Sequence, residues 1–412
     1  MTVYLHDIPL DQAIKRFQDA FKQYSLDGIL KTETLPLNEK LVGRVLAKPV
    51  WAKISSPHYH ASAMDGFAIR FQDIAKAMPT NPITLRIDEQ AVYVDTGDPM
   101  PDWANAVVPI ENTEALSQEG LIDEDKRHPY AIRVRNSLVP WTNIRSMGED
   151  IVATELVLPA HRYLIPVDLG AIAACGQTTV EVSKKPVVAI LPTGTELIDI
   201  GKEVKKGDII EYNSLVLAAQ VINWGGEAVR YPITKDDFVE LCNAVSNAAA
   251  NADLVLINAG SSAGSEDFTS RVVEKLGELY VHGVAVRPGH PVILGMIFAD
   301  DGRKVPIIGV PGYPVSAALT GEIFVKPILE EWLGILDPEQ ELIEAELTRK
   351  ITSPAGDDDY VRIVTASVRD KILAAPLSRG AGVISSMVRS DGYAIIPRGI
   401  QGMEAGAKVN VI

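Results

Sequence analysis

The chain has 412 residues, more than one hydrophobic core usually supports, so about two to four domains are expected. Apolar residues at 47% and charged residues at 23% exclude wholesale disorder and collagen-like repeats, and no apolar run approaches the roughly eighteen residues of a membrane-spanning helix. Acidic residues outnumber basic ones 54 to 39, a net charge of −15, which opposes binding to nucleic acid or anionic lipid and favours a small-molecule ligand held in a local pocket.

The N-terminus lacks a basic region followed by an apolar core, and two cysteines, Cys175 and Cys242, cannot staple a fold of this size. A reducing cytoplasm is therefore the expected setting. Residues 8–30 carry Leu10, Ile14, Phe17, Phe21 and Tyr24 at helical spacing behind Pro9, which predicts a helix facing a core or an intersubunit seam. From about 45 to 145 short alternating stretches predict a β module, with strands at 83–87, 91–94, 106–108 and 131–134. Helical character returns near 163–178, bounded by Pro166 and Gly176. From 185 to about 334 strands alternate with helices, at 187–191, 228–231, 254–257 and 306–310 for the strands. That alternation predicts a mostly parallel sheet with helices on both faces. Beyond 335 short β stretches predict a small C-terminal barrel.

Ligands of open α/β sheets gather where strands enter the following helices. Three loops qualify: Pro192-Thr193-Gly194-Thr195-Glu196, the segment Asn258 to Asp267, and Pro311-Gly312-Tyr313-Pro314-Val315-Ser316. Glycines there, Gly194, Gly260, Gly264 and Gly312, let backbone N–H groups approach a ligand, and hydroxyls of Thr193, Ser261 and Ser262 add donors. Glu196 and Asp267 differ in kind, because a carboxylate beside a phosphate cradle repels it unless a cation intervenes. Asp267 reads equally as a helix-start residue or as a Mg²⁺ ligand. Nearby cations are few, and Arg287, His290, Arg379, Arg389 and the hydroxyl of Ser385 are the anion-binding candidates. No zinc spacing, Walker loop or dinucleotide fingerprint appears.

Several stretches in one order resemble the molybdopterin molybdenumtransferase (MoeA) family, to which the C-terminal domain of gephyrin is related. They are Ser62-Ala63-Met64-Asp65-Gly66-Phe67-Ala68, Thr96-Gly97, Gly148-Glu149-Asp150-Ile151, Leu191 to Leu197, Gly207 to Ser214 and Pro311 to Ser316. The resemblance implies a homodimer of four-domain subunits: a partly helical domain of residues 1–45 and 146–183, an inserted β domain of 46–145, an α/β molybdopterin-binding domain of 184–335 and a β-barrel of 336–412. It implies insertion of molybdate or tungstate into adenylylated molybdopterin, with Mg²⁺-dependent release of AMP. Asp65, Asp150, Glu196 and Asp267 then stand at catalytic positions, with Glu196 and Asp267 as metal ligands. Thr96, Pro311, Pro314 and Ser316 join the glycines and hydroxyls above as substrate-binding positions. An adenylyltransferase and recipient molybdoenzymes would be its partners. A noncatalytic molybdopterin carrier and a molybdopterin adenylyltransferase are the competing readings. The chain departs from the family pattern at Ala259-Gly260-Ser261-Ser262, at His290 where a lysine is usual, and at Tyr313 where an asparagine is usual.

Overall fold

The computed structural model describes residues 7–259, 268–335, 342–378 and 380–412. In it the chain forms two compact units, one of Thr34–Val182 and one of Met1–Glu33 with Ser183–Ile412. Strands of four or more residues are labelled here in chain order.

In the smaller unit, β1 (Thr32–Pro36) leads in from the larger one. Strands β2 (Gly66–Ile69), β3 (Ile83–Arg86), β4 (Ala91–Val94), β5 (Ala106–Pro109), β6 (Thr113–Leu116) and β7 (Ala131–Val134) follow. They form two antiparallel three-stranded sheets, β4-β2-β5 and β3-β7-β6. Phe67, Ile69, Leu85, Val108, Ile132 and Val134 meet in their shared core, the inward set of the alternation seen in the sequence. A second core gathers Leu41, Leu46, Val50, Leu158, Leu164 and Cys175 beside a helix at Pro166–Ala174. β8 (Thr179–Ser183) closes the unit by pairing with β1.

The larger unit is built on a six-stranded sheet. Its strands are β9 (Val187–Pro192), β10 (Glu227–Arg230), β11 (Leu254–Ala259), β12 (Gly277–His282), β13 (Ile293–Phe298) and β14 (Lys304–Pro311), ordered β10-β9-β11-β14-β13-β12. The first four are parallel. The last two form an antiparallel extension that the periodicity did not predict. One face packs on helices Asn213–Asn223, Pro314–Thr320 and Lys326–Leu333, the other on Phe238–Asn251 and Phe268–Leu276. The last helical stretch contains a π turn at Gly321–Val325. Pro327, which follows it, has no N–H and would clash with the carbonyl four residues back in regular α geometry.

The N-terminal helix is Leu10–Gln23. Its stripe, Ala13, Phe17, Ala20 and Phe21, is buried in the core of the α/β sheet with Leu217, Leu294 and Trp332. Phe21 stacks on Trp332 at 5.8 Å, whose indole N–H donates to the Leu26 carbonyl at 2.7 Å. Burying each phenylalanine contributes on the order of 2 kcal/mol, which holds the helix to this sheet and starts the smaller unit at Thr34.

The C-terminal strands β15 (Ile343–Leu347), β16 (Asp358–Val368), β17 (Lys371–Pro376), β18 (Gly392–Ile396) and β19 (Lys408–Val411) close into a barrel, because β16 pairs with both β17 and β18. Val286–Arg287 adds in parallel to the start of β16, which carries the loop after Arg287 onto the barrel.

Candidate active site

Parallel register places three strand ends side by side. Pro192 pairs with Asn258, and Asn258 and Ala259 pair with Val310 and Pro311. The loops leaving β9, β11 and β14 therefore share one rim, as the crevice rule for open sheets requires. A cavity of about 360 Å³ opens there, lined by Thr193, Glu196, Leu197, Ile209, Ile210, Glu211, Tyr212, Asn213, Asn258, Gly312, Tyr313, Pro314 and Gly382.

Its floor is a set of amides and hydroxyls. Asn258, 3% exposed, donates from Nδ2 to the Pro311 carbonyl at 3.1 Å and accepts at Oδ1 from Asn213 Nδ2 at 3.2 Å. Asn213 Nδ2 also donates to the Gly312 carbonyl at 2.7 Å. Thr193 is buried, with its N–H donating to the Asn258 carbonyl at 2.9 Å. Gly194 turns the chain at φ +153°, and a β-carbon there would lie 2.9 Å from Leu197 and about 3.0 Å from the Glu196 carboxylate. Glycine is thus what lets Glu196 fold back beside the turn. Behind the rim, Glu211 accepts the Ser214 N–H at 2.7 Å and the Ser214 hydroxyl at 2.6 Å, fixing the start of helix Asn213–Asn223.

A second cavity, of about 210 Å³, lies where the loop after Val286–Arg287 meets the barrel. Arg287, Pro288, Pro354, Asp359, Tyr360 and Arg362 line it. Arg362 is 2% exposed. Its Nη2 donates to the Ser378 carbonyl at 2.6 Å and the Gly380 carbonyl at 3.3 Å, while its Nε is buried without a hydrogen-bond partner. Burial pushes its pKa down from the usual guanidinium range, though a guanidinium keeps its proton at neutral pH. A buried N–H without an acceptor costs about 1–3 kcal/mol; the Asp359 carboxylate, 2% exposed, lines the same cavity and accepts the Ser353 hydroxyl at 2.8 Å. Arg287 donates through Nε and Nη2 to Asp357 Oδ2 at 3.3 and 3.1 Å. His290 sits between two carboxylates, with Nδ1 3.2 Å from Asp7 Oδ2 and Nε2 3.1 Å from Asp357 Oδ2. The Nε2 contact lacks hydrogen-bond alignment and counts as charge proximity only.

Thr193, Gly194's turn, Glu196, Gly312 and Pro314 thus come together at the first cavity, with Pro311 supplying a carbonyl to its floor. Ser316 is buried in the helix that follows, 3% exposed, and is not among the lining residues. Arg287 lines the second cavity and His290 stands beside its Asp357 partner. Ser385 and Arg389 are exposed on a short helix and line neither. In the smaller unit Thr96 donates to Asp65 Oδ1 through its N–H at 2.8 Å and its hydroxyl at 2.7 Å, and these two bonds hold the Asp65 carboxyl below its ordinary range. Gly66 beside it is pressed against the Val108 carbonyl, where a β-carbon would sit at 2.1 Å. Asp150 is exposed in that unit. Gly260, Ser261, Ser262, Gly264, Asp267 and Arg379 lie outside the described residues. Among the described residues no three His, Cys, Asp or Glu side chains cluster as a metal site.

Sequence reading placed Asn258 at the head of the second loop and Ile209, Ile210 and Asn213 in a stretch resembling the family, but named none of them, nor Arg362, as a site residue. The signal for Asn258 was an amide ending an otherwise apolar strand. Arg362 sits between Val361 and Ile363 in a strand, where a lone arginine ordinarily points outward.

An open α/β sheet with a ligand cavity at its strand ends, joined to a closed barrel, defines a small-molecule-binding multidomain protein. Residues 8–176 match the MoeA N-terminal region (domain I and II), 189–331 the probable molybdopterin binding domain and 344–412 the MoeA C-terminal region (domain IV). A molybdopterin biosynthesis protein of Methanocaldococcus jannaschii is 33% identical over 98% of this chain and 97% of its own. The molybdopterin molybdenumtransferase of Bacillus subtilis is 29% identical over 98% of this chain and 94% of its own. The crystal structure of a molybdopterin biosynthesis MoeA protein from Pyrococcus horikoshii superposes with a TM-score of 0.81 at 28% identity, covering 98% of both chains. The chain belongs to the MoeA family.

Proposed function

We propose that this protein is a transferase of molybdenum cofactor biosynthesis that inserts molybdate into adenylylated molybdopterin and releases AMP. The observation that carries this reading is the pairing, in one compact unit, of an amide-floored cavity with a second cavity lined by the buried guanidinium of Arg362, whose Nε has no hydrogen-bond partner. The first suits a pterin nucleotide and the second an oxyanion. Thr193, Asn213 and Asn258 orient the nucleotide by hydrogen bonds, and apolar Leu197, Ile209 and Ile210 exclude water around it. Arg362, with Arg287 nearby, holds the oxyanion substrate. The dithiolene sulfurs of the pterin, not protein thiols, become the metal's ligands; Cys175 is buried in the core of the smaller unit, and no cysteine is among the residues lining either cavity.

The donors at the first cavity fit Mg²⁺ in part. Glu196 supplies a hard carboxylate to the cavity that Thr193 also lines, and Mg²⁺ keeps several waters while taking one or two carboxylates and substrate phosphates. Glu196 would hold it, with Asp267 as the second carboxylate. Bound Mg²⁺ supplies charge neutralisation of the pyrophosphate. The protein acts as a cytoplasmic homodimer in this reading, and tungstate is the alternative oxyanion. Incubation with adenylylated molybdopterin, Mg²⁺ and either molybdate or tungstate tests it. AMP release with metal in the pterin product is expected, and bound pterin with no AMP release would instead identify a carrier.

A further inference from the structure

Tyr313 stands at the cap of the helix Pro314–Thr320 but makes no side-chain capping bond, and it is 54% exposed whereas Pro314 and the six residues after it are buried. With Ile209 and Ile210 it forms an exposed apolar patch within one cavity, and such patches mark ligand grooves. We propose that Tyr313 is the stacking platform for a planar, amino-bearing heteroaromatic ring of the substrate, an assignment that rests on the reading of this cavity as the pterin-nucleotide site.

Three features converge on that role. The barrel's loop runs beside the ring. Gly382 lines the same cavity, its missing β-carbon leaves open the space 3.5 Å from Tyr313 Cδ1, and the Val315 N–H donates to the Ala381 carbonyl at 3.0 Å, pinning that loop next to the cavity. Two further apolar side chains line the same cavity in the open: Ile209 is 52% and Ile210 37% exposed. They are held on a two-residue strand paired with Leu197–Ile198, through the Ile209 N–H to the Glu196 carbonyl at 2.9 Å. The floor, finally, offers acceptors. Asn213 Nδ2 is committed to two acceptors, Asn258 Oδ1 and the Gly312 carbonyl, which fixes the amide so that Oδ1 is the acceptor left over. Apolar walls, an aromatic face and an amide oxygen complement a flat ring with an exocyclic amino group. Adenine and pterin share that chemistry, and the substrate carries both.

The test is calorimetric titration of the full-length protein with AMP, IMP, neopterin and pyrophosphate, comparing the wild type with Tyr313→Phe and Tyr313→Leu. Stacking on an aromatic side chain is worth about a tenfold to hundredfold in affinity. Tyr313→Leu is expected to weaken AMP, neopterin or both by at least about tenfold, while Tyr313→Phe stays within about twofold and pyrophosphate binding is unchanged in all three. Loss of AMP affinity, with IMP binding the wild type more weakly than AMP, identifies adenine as the stacked ring. Loss confined to neopterin identifies the pterin. Equal affinities of Tyr313→Leu and wild type for both ring ligands overturn the platform, and so does a loss for pyrophosphate as large as the loss for the rings. Failure of the wild type to bind either AMP or neopterin overturns the assignment of the cavity itself, a result distinct from any effect of the substitutions.

Discussion

The cavity at the strand ends holds two carboxylates, Glu196 and Glu211, two side-chain amides and apolar walls, whereas the cavity beside Pro288 holds two guanidiniums, the Asp359 carboxylate and a buried N–H without an acceptor. The first is assembled by neighbours in one sheet: Asn258 ties the ends of β11 and β14, and Thr193 ties β9 to β11. The second is assembled by residues far apart in the chain, Arg287 on one side and Arg362 on the other. The contrast teaches that sheet register brings the amide floor of the first cavity together, while its walls at Ile209, Ile210 and Gly382 come from outside the sheet. A strong anion site in a chain of net charge −15 needs a cation shielded from the global field by burial.

The largest expected effect comes from breaking the anion side. Arg362→Gln should lower AMP release in the presence of molybdate by about 10²-fold, the usual cost of removing one buried donor from a developing or bound anion. AMP affinity at the strand-end cavity should stay as in the wild type. An unchanged rate would remove Arg362 from the oxyanion site, and melting curves of the variant separate this from loss of the Ser378 and Gly380 contacts. On the other side, Asn258→Ala should destabilise the protein by about 1–3 kcal/mol, because the Pro311 carbonyl loses its donor inside the fold. It should also weaken AMP binding without touching molybdate affinity. A melting temperature equal to wild type would show that the amide ties carry little.

The smallest effect sharpens what distinguishes these sites from an acid held by neutral donors. Thr96→Val removes the hydroxyl donor from Asp65, so the Asp65 carboxyl should titrate at higher pH than in the wild type, closer to its ordinary value. The sign follows from the depressed folded-state pKa. Its stabilising contribution is present above the unfolded pKa and is lost as pH falls through the folded one, so the variant has less to lose on acidification. Carbon-detected NMR titration of Asp65 reads the shift directly, and an identical midpoint in both proteins would assign the depression to the backbone bond or to Arg127 instead.

Much of the strand-end cavity was legible in the sequence because its parts are local. Val187–Leu191 and Leu254–Ile257 are continuous apolar runs, as doubly covered parallel strands must be, and the first runs on through Pro192 to Thr193 while the second passes directly into Asn258 at its strand end. The β12–β13 extension escaped because Gly277–His282 follows its helix with no turn signal between them. The N-terminal stripe announced a buried face but not its partner, since periodicity says which side of a helix is covered and nothing about what covers it. Arg362 was illegible for a related reason. Alternation in β16 assigns a side of the strand, but only barrel closure and the loop after Arg287 turn that position into an interior.

The bond from the Val315 N–H to the Ala381 carbonyl has a bearing on modularity. Gly382, next to that carbonyl, is part of the wall of the strand-end cavity, so the α/β domain does not own its ligand site outright. A chain ending after residue 335 would keep the sheet and the amide floor but leave one side of the cavity open to water. Domain shuffling that exchanged the barrel for another module would therefore change ligand choice at a site whose own residues had not been altered. Selection on the barrel's 380–382 loop is, in effect, selection on the pocket.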